Sequence, residues 1–197
     1  VSGTAVAYSV ENLLANATFT DGQKWTVGND GFSDPITFAK EVTYGPPGSP
    51  NTGRFKQTGT QSIGAEQILL SDPMSVVAGQ RYVAMSGLYA NRCNGGYLNI
   101  RWYDATDTAT GADTTSAATA DHGNNAPTTE AEFDIASCFA TAPALAVSAR
   151  LLIRKRATNL GSDSQLFLFK PLFGQVPTGI TTLPQWTAGG QNIVDTE

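Results

Sequence analysis

In GQRYVAMSGLYANRCNGGYLNIRWYD, residues 79–104, apolar and polar side chains alternate along two runs separated by a polar, glycine-bearing break. A period of two is that of a β-strand, whose successive side chains point to opposite faces of a sheet. In the second run Leu98, Ile100 and Trp102 form the inward set, and Asn99, Arg101 and Tyr103 the outward one. In the first, Tyr82, Ala84, Ser86 and Leu88 share one side, and Val83, Met85, Gly87 and Tyr89 the other. Asn91, Asn94, Gly95 and Gly96 supply turn chemistry between the runs, because Gly and Asn tolerate positive φ. Two adjacent strands joined by a turn are therefore expected here, with Gly79 as the reversal that precedes them.

On the N-terminal side, residues 1–10 are small and polar, as in an arm that needs a partner for order. Glu11–Trp25 reads as a first strand anchored by Leu13, Leu14, Phe19 and Trp25, with a turn at Asp21-Gly22 and loop from Gly28 to Gly31. Short strands follow within Pro35–Val42, Arg54–Thr58, Glu66–Leu70 and Met74–Val77. The three prolines and three glycines of Gly45–Gly53 exclude regular ladder pairing. On the C-terminal side, residues 104–127 (DATDTATGADTTSAATADHGNNAP) lack any aromatic or large aliphatic residue and read as a long exposed excursion, with weak strand character at Thr114–Ala120. Strand pattern resumes at Glu130–Ile135. It is strong in Ala144–Arg156, where Val147, Ala149, Leu151 and Ile153 point inward and Ser148, Arg150, Leu152 and Arg154 outward. Gln165–Phe173 is the last core strand, ended by Pro171, which removes a ladder donor. A Pro/Gly-rich tail follows, with Trp186 as its one aromatic anchor. Short strands divided by turn signals, with no segment of helical period, predict an all-β antiparallel sandwich of jelly-roll type. Its parts are an extended N-terminal arm (1–10), the sandwich (11–175) and an extended C-terminal tail (176–197).

The chain of 197 residues is most simply one domain. Its 17 acidic residues against 12 basic ones argue against nucleic acid as a partner, since phosphate binding needs concentrated Lys and Arg. Arg150, Arg154, Lys155, Arg156 and Lys170 nevertheless fall close together, as a solvated face or as part of a site for an acidic ligand. No run approaches the roughly 18 apolar residues of a membrane span, so no membrane insertion is expected. The sequence from Val1 shows no basic start followed by an apolar run, hence no visible secretory signal, although a removed signal would leave no trace. Cys93, in the turn before a strand, and Cys138, in the loop SCFATAPA, are either one bridge or two free thiols.

An enzyme would need paired carboxylates, an activated nucleophile or a metal cluster. Glu130, Glu132 and Asp134 alternate, so they share one strand face, as a coupled pair of carboxyls or simply as a solvated edge. His122, the single histidine, lies in the biased excursion and reads as a surface residue. No catalytic set results. Sugar binding has a simpler requirement: a ring to stack on the apolar face of a pyranose, flanked by planar polar groups that bond its hydroxyls. Tyr89, Tyr97 and Tyr103, with Asn99, Arg101, Arg150 and Arg154, meet that requirement if their strands are neighbours on an outer face. The arginine forks would also suit a carboxylated or sulfated glycan. The competing reading has the tyrosines cover a sheet against loops or a sister subunit. Trp25 and Trp102 belong to the core on this pattern.

NLLANATFTDGQKW (12–25), VVAGQRYVAMSGLYA (76–90), YLNIRWYDA (97–105), APALAVSARLLIRKR (142–156) and LFLFKPLFG (166–174), in that order, resemble carbohydrate-binding modules of the family four, nine and twenty-two jelly-roll type. The resemblance spans about residues 11–175. It implies two antiparallel sheets, with glycan on the concave outer face of one or at the loop ends. Lys170–Gly174 and Pro184–Gly189 in KPLFGQVPTGITTLPQWTAGG further resemble the end of such modules in bacteriophage tail proteins. The function so implied is non-catalytic binding of host cell-surface polysaccharide by a tail, fibre or spike component of a virion, in contact with other virion proteins or with copies of itself. Two alternatives remain: an assembly module of the virion that binds no glycan, or the binding module of a secreted glycoside hydrolase. No cofactor is implied. Many such modules carry, near the end of the last strand, an Asp that helps hold a structural calcium, and Lys170 stands at the comparable position. Glu11, Asp21, Asp34 and backbone carbonyls are the hard oxygen ligands available to such an ion.

Overall fold

The computed structural model describes residues 10–20, 24–29, 35–47, 51–59, 63–64, 66–159 and 161–188. These form strands β1 (Trp25–Asn29), β2 (Ile36–Glu41), β3 (Thr52–Gln57), β4 (Glu66–Ser71), β5 (Met74–Ser75), β6 (Arg81–Asn91), β7 (Cys93–Tyr103), β8 (Thr114–Thr115), β9 (Asp134–Thr141), β10 (Ser148–Ala157) and β11 (Ser164–Val176). The first sheet runs β1-β4-β10-β7-β8, with β5 also paired to β10; the second runs β2-β3-β11-β6-β9. All the ladders between strands are antiparallel. The two sheets pack face to face as the expected jelly-roll sandwich.

The alternation that predicts the strands also fills the core. Leu69, Leu98, Ile100, Trp102, Ala149, Leu151 and Ile153 of the first sheet meet Phe55, Tyr82, Ala84, Leu88, Leu166, Leu168 and Phe173 of the second, all buried. Tyr82 stacks on Phe173 with ring centroids 5.3 Å apart, and both lie edge-on to Trp102. Phe19, Trp25 and Phe38 form a second aromatic group at 5.6–5.9 Å. Trp25 and Trp102 are thus core residues, as expected.

Several local expectations are overturned. β6 and β7 are not neighbours in one sheet. Arg92 alone separates them, in a left-handed conformation (φ 53°), and carries the chain from the second sheet to the first. Gly95 and Gly96 lie inside β7, where close packing excludes a side chain: a Cβ on Gly95 would fall 1.9 Å from the Thr119 carbonyl oxygen, and one on Gly96 2.6 Å from Leu166. Cys93 and Cys138 are both in strands, one in each sheet, buried and unbonded. Residues 11–20 form turns rather than a strand, and β1 starts only at Trp25 and takes in Gly28; the Asp21-Gly22 turn lies outside the described residues. Glu130–Glu132 is a 3-10 turn, not a strand. β10 begins at Ser148, leaving Val147 about half exposed rather than inward.

Pro171 does not end β11. The register against β6 shifts between Phe169 and Leu172, and Lys170 takes φ 50°, so the missing N–H is absorbed in a bulge and pairing continues to Val176. Beyond it the chain turns back: Trp186 donates its indole N–H to the Pro171 carbonyl at 2.9 Å and packs with Val10 on Val83, Met85, Leu172 and Val176. Both faces of the second sheet are consequently covered by apolar groups.

The biased excursion is also held. Residues 114–122 run as a strap: Ser116 N bonds Leu98 O, Thr119 N bonds Gly96 O and His122 N bonds Ala90 O, each at 2.8–2.9 Å. It follows β7 and then crosses to β6. Polar composition does not forbid order when the backbone itself supplies the partners.

Candidate functional site

The ladder between β7 and β10 sets Arg150 opposite Arg101, Leu152 opposite Asn99, Arg154 opposite Tyr97 and Ser148 opposite Tyr103. Because side chains alternate, these residues share the outer face of the first sheet. Six of the seven residues singled out in the sequence are thereby brought together: Tyr97, Asn99, Arg101, Tyr103, Arg150 and Arg154. Tyr89 is not among them. It projects from the outer face of the second sheet and is 3% exposed, among Phe133, Phe167 and Phe169. His122 stacks on it at 4.2 Å and places Nε2 3.1 Å from Asp134 Oδ2, so this histidine is half-buried rather than a free surface group.

Two carboxylates missed in the sequence organise the face. Glu66 on β4 accepts from the Tyr97 hydroxyl and the Arg154 guanidinium, and from Arg156 at 3.3 Å. Burial alone would raise the Glu66 carboxyl, but the Tyr97 hydroxyl and the Arg154 charge outweigh it and hold the group below the ordinary carboxylate value. Asp113, from the loop before β8, takes both the Nε and Nη2 of Arg101, the latter at 2.7 Å, and lies 3.7 Å from Arg154. That contact lifts the Arg101 guanidinium above its ordinary value. Thr115 accepts from the Asn99 amide at 2.5 Å. The sequence signal for Thr115 was weak strand character within 114–120, and for Glu66 a position at the start of a predicted strand; Asp113 stands one residue before that weak strand and carried none.

Beneath these groups Leu152 is fully buried although it points outward, so the polar side chains lie across it. Asn99 Oδ1 and Arg154 Nε are buried with no hydrogen-bond partner among the described residues. Tyr97 is tied down by its hydroxyl, whereas Tyr103 is half-exposed, with the Arg150 guanidinium 5.8 Å from its ring centre. Arg150 Nη1 donates to the Ser71 carbonyl at 3.1 Å. The face therefore offers a ring and a fork in one patch, over a buried polar layer.

The carboxylates at 130–134 do not form a catalytic pair. Glu132 accepts from the backbone N–H groups of Thr128 and Thr129, Glu130 pairs with Lys170 at 2.6 Å, and Asp134 faces His122. Among the described residues no three His, Cys, Asp or Glu side chains converge as a metal site. Of the calcium ligands considered, Asp21 and Asp34 lie outside the described residues. No helix among them is long and apolar enough to cross a membrane. An open cavity of 450 Å³ lies near the start of β6, lined in part by Glu11, Gln80, Tyr82 and Gln175. It lacks an exposed ring, since Tyr82 is 1% exposed and its hydroxyl is held by the Val77 N–H.

No protein-family model and no curated protein matches the chain by sequence. Solved structures do match by shape. The enzymatically active domain of tailspike protein 4 from bacteriophage CBA120 superposes with a TM-score of 0.60 at 14% identity, over 84% of this chain and 21% of that one. The Clostridium thermocellum xylanase 10B structure, a family 22 binding module joined to a family 10 catalytic module and complexed with xylohexaose, gives 0.53 at 12%, over 90% and 30%. A family 16 carbohydrate-binding module gives 0.51 at 10%, over 82% and 99%. The chain has the fold of a carbohydrate-binding module. The match takes in almost the whole of the family 16 module, but only about a fifth of the tailspike chain and under a third of the xylanase chain.

Proposed function

We propose that this module binds polysaccharide, without catalysis, on the outer face of its first sheet, as part of a phage tail, fibre or spike that contacts the host surface. The observation that carries the reading is the β7/β10 register, which sets Tyr103, Arg101, Asn99, Arg150 and Arg154 side by side on that face. Stacking on Tyr103 and hydrogen bonds from the Arg101 and Arg150 guanidinium groups are the interactions that hold a sugar ring, while the buried Asn99 supports the face from beneath. The tailspike likeness supports the virion setting, and the module folds at similar TM-score support the ligand class.

The test is retention of the whole chain on a glycan array and on host cells, beside a Tyr103→Ala/Arg101→Ala variant. Binding by the wild type that the variant loses is the expected result. Failure of the wild type to bind any glycan or cell would leave the assembly reading, in which the N-terminal arm (1–10) and the C-terminal tail (176–197) dock the module onto other virion proteins.

A further inference from the structure

The outer face of the first sheet carries four guanidinium groups, Arg101, Arg150, Arg154 and Arg156, and two carboxylates that answer them, Glu66 and Asp113. Asp113 is shared by Arg101 and Arg154, and Glu66 by Arg154, Arg156 and the Tyr97 hydroxyl. Neither carboxylate pairs with Arg150, nor does any other among the described residues; its contacts are the Ser71 carbonyl and the Tyr103 ring. Arg150 stands directly opposite Arg101 in the ladder, and of the two only Arg101 has a carboxylate, Asp113, to answer its charge. The excess of two positive charges is local, in a chain whose net charge is −5.

Resting on the glycan-binding reading above, we infer that this face takes a polysaccharide bearing uronic acids, whose carboxylate is received by the free side of the Arg150 fork while the sugar ring lies against Tyr103. Nη1 is engaged with Ser71, which fixes the plane of the guanidinium and leaves the remaining donors directed elsewhere. A planar fork held in this way matches a carboxylate with two parallel hydrogen bonds, which a lysine ammonium cannot do. Arg101, already held by Asp113, adds positive potential without needing to move. A neutral polysaccharide would leave the charge opposite Arg101 unanswered.

The whole chain is run in affinity electrophoresis through polygalacturonate and through alginate, each beside its carboxyl-reduced form, which keeps the backbone and replaces each carboxylate by a hydroxymethyl group. The expected result is retardation by the acidic polymers at least about tenfold stronger than by the reduced ones, the scale of one charge-assisted pair. That difference should fade as salt rises. Arg150→Gln, which can still donate to Ser71, should lose the difference while keeping the far-ultraviolet spectrum and thermal midpoint of the wild type. Arg150→Lys should recover only part of it. Equal retention by acidic and reduced polymers would overturn the carboxylate assignment and leave the glycan reading standing. Equal retention by single-stranded DNA would show a general cationic patch and overturn it as well. Retention by none of these polymers would overturn the uronic-acid assignment, while the glycan array and host cells decide the glycan reading itself.

Discussion

Lys155 lies between the sheets with no exposed surface, its ammonium held by Gln67 Oε1 at 3.0 Å and by Ser164 Oγ and O at 2.9 and 3.1 Å, 5.3 Å from the Phe55 ring centre. Burial lowers its pKa from 10.5 to about 8. A base whose pKa falls on folding binds fewer protons in the native state between those values, so stability should rise with pH across that window. Burial raises the Cys93 thiol from 9.0 to about 11 and the Cys138 thiol to about 12, which works in the opposite direction. Between pH 8 and 9 the unfolded thiols already begin to ionise and offset much of the lysine's gain, so the lysine is read from the difference between two proteins. Urea unfolding of the wild type relative to Lys155→Met should gain on the order of 1 kcal/mol between those pH values. The same profile in both proteins would contradict a buried ammonium. The sequence contained half of this result. The period of two that turns Ala149, Leu151 and Ile153 inward also turns Lys155 inward, but its charge argued for solvent. Periodicity prevails because Gln67 and Ser164 supply acceptors, from strands whose positions beside β10 no local pattern announces.

The strap and β7 show the same division at the level of elements. Strand alternation in 97–103 and 148–154 was legible, and so was the face those strands share, because an antiparallel register preserves alternation. The partners were not. Asn94, Gly95 and Gly96 looked like turn residues, whereas Gly95 is glycine because the strap backbone passes over it. That misreading joined β6 to β7 and so placed Tyr89 with the wrong tyrosines. A Gly95→Ala substitution should cost about 2–4 kcal/mol, since the intruding methyl meets backbone that must shift. Amide exchange should quicken first at Ser116 and Thr119, whose N–H groups lace the strap to β7. Unaltered protection there would mean that the strap is not held by this contact.

Across the whole molecule the thiols report on cooperativity. Cys93 and Cys138 lie on opposite sheets, buried and with raised pKa values, so a thiol reagent meets neither a thiolate nor an open path. Labelling under native conditions should follow global unfolding for both, and reductant should leave the thermal midpoint unchanged. Rapid labelling of one cysteine alone would reveal that one sheet opens before the other. The jelly roll itself was legible at this scale because many short alternating runs close into few other shapes. The covering of the second sheet was not, because it depends on Trp186 and Val10 meeting through contacts distant in sequence.

That meeting has an architectural consequence. The Thr187 hydroxyl donates to the Val10 carbonyl at 3.0 Å, and Asn12 bridges the Pro171 and Thr187 carbonyls. The two points at which the described chain enters and leaves are thus stitched together on the second sheet, behind the arginine face. Such a unit behaves as a cassette: its two junctions lie side by side, so that it can be spliced into a surface hairpin of an unrelated carrier without stretching either of them.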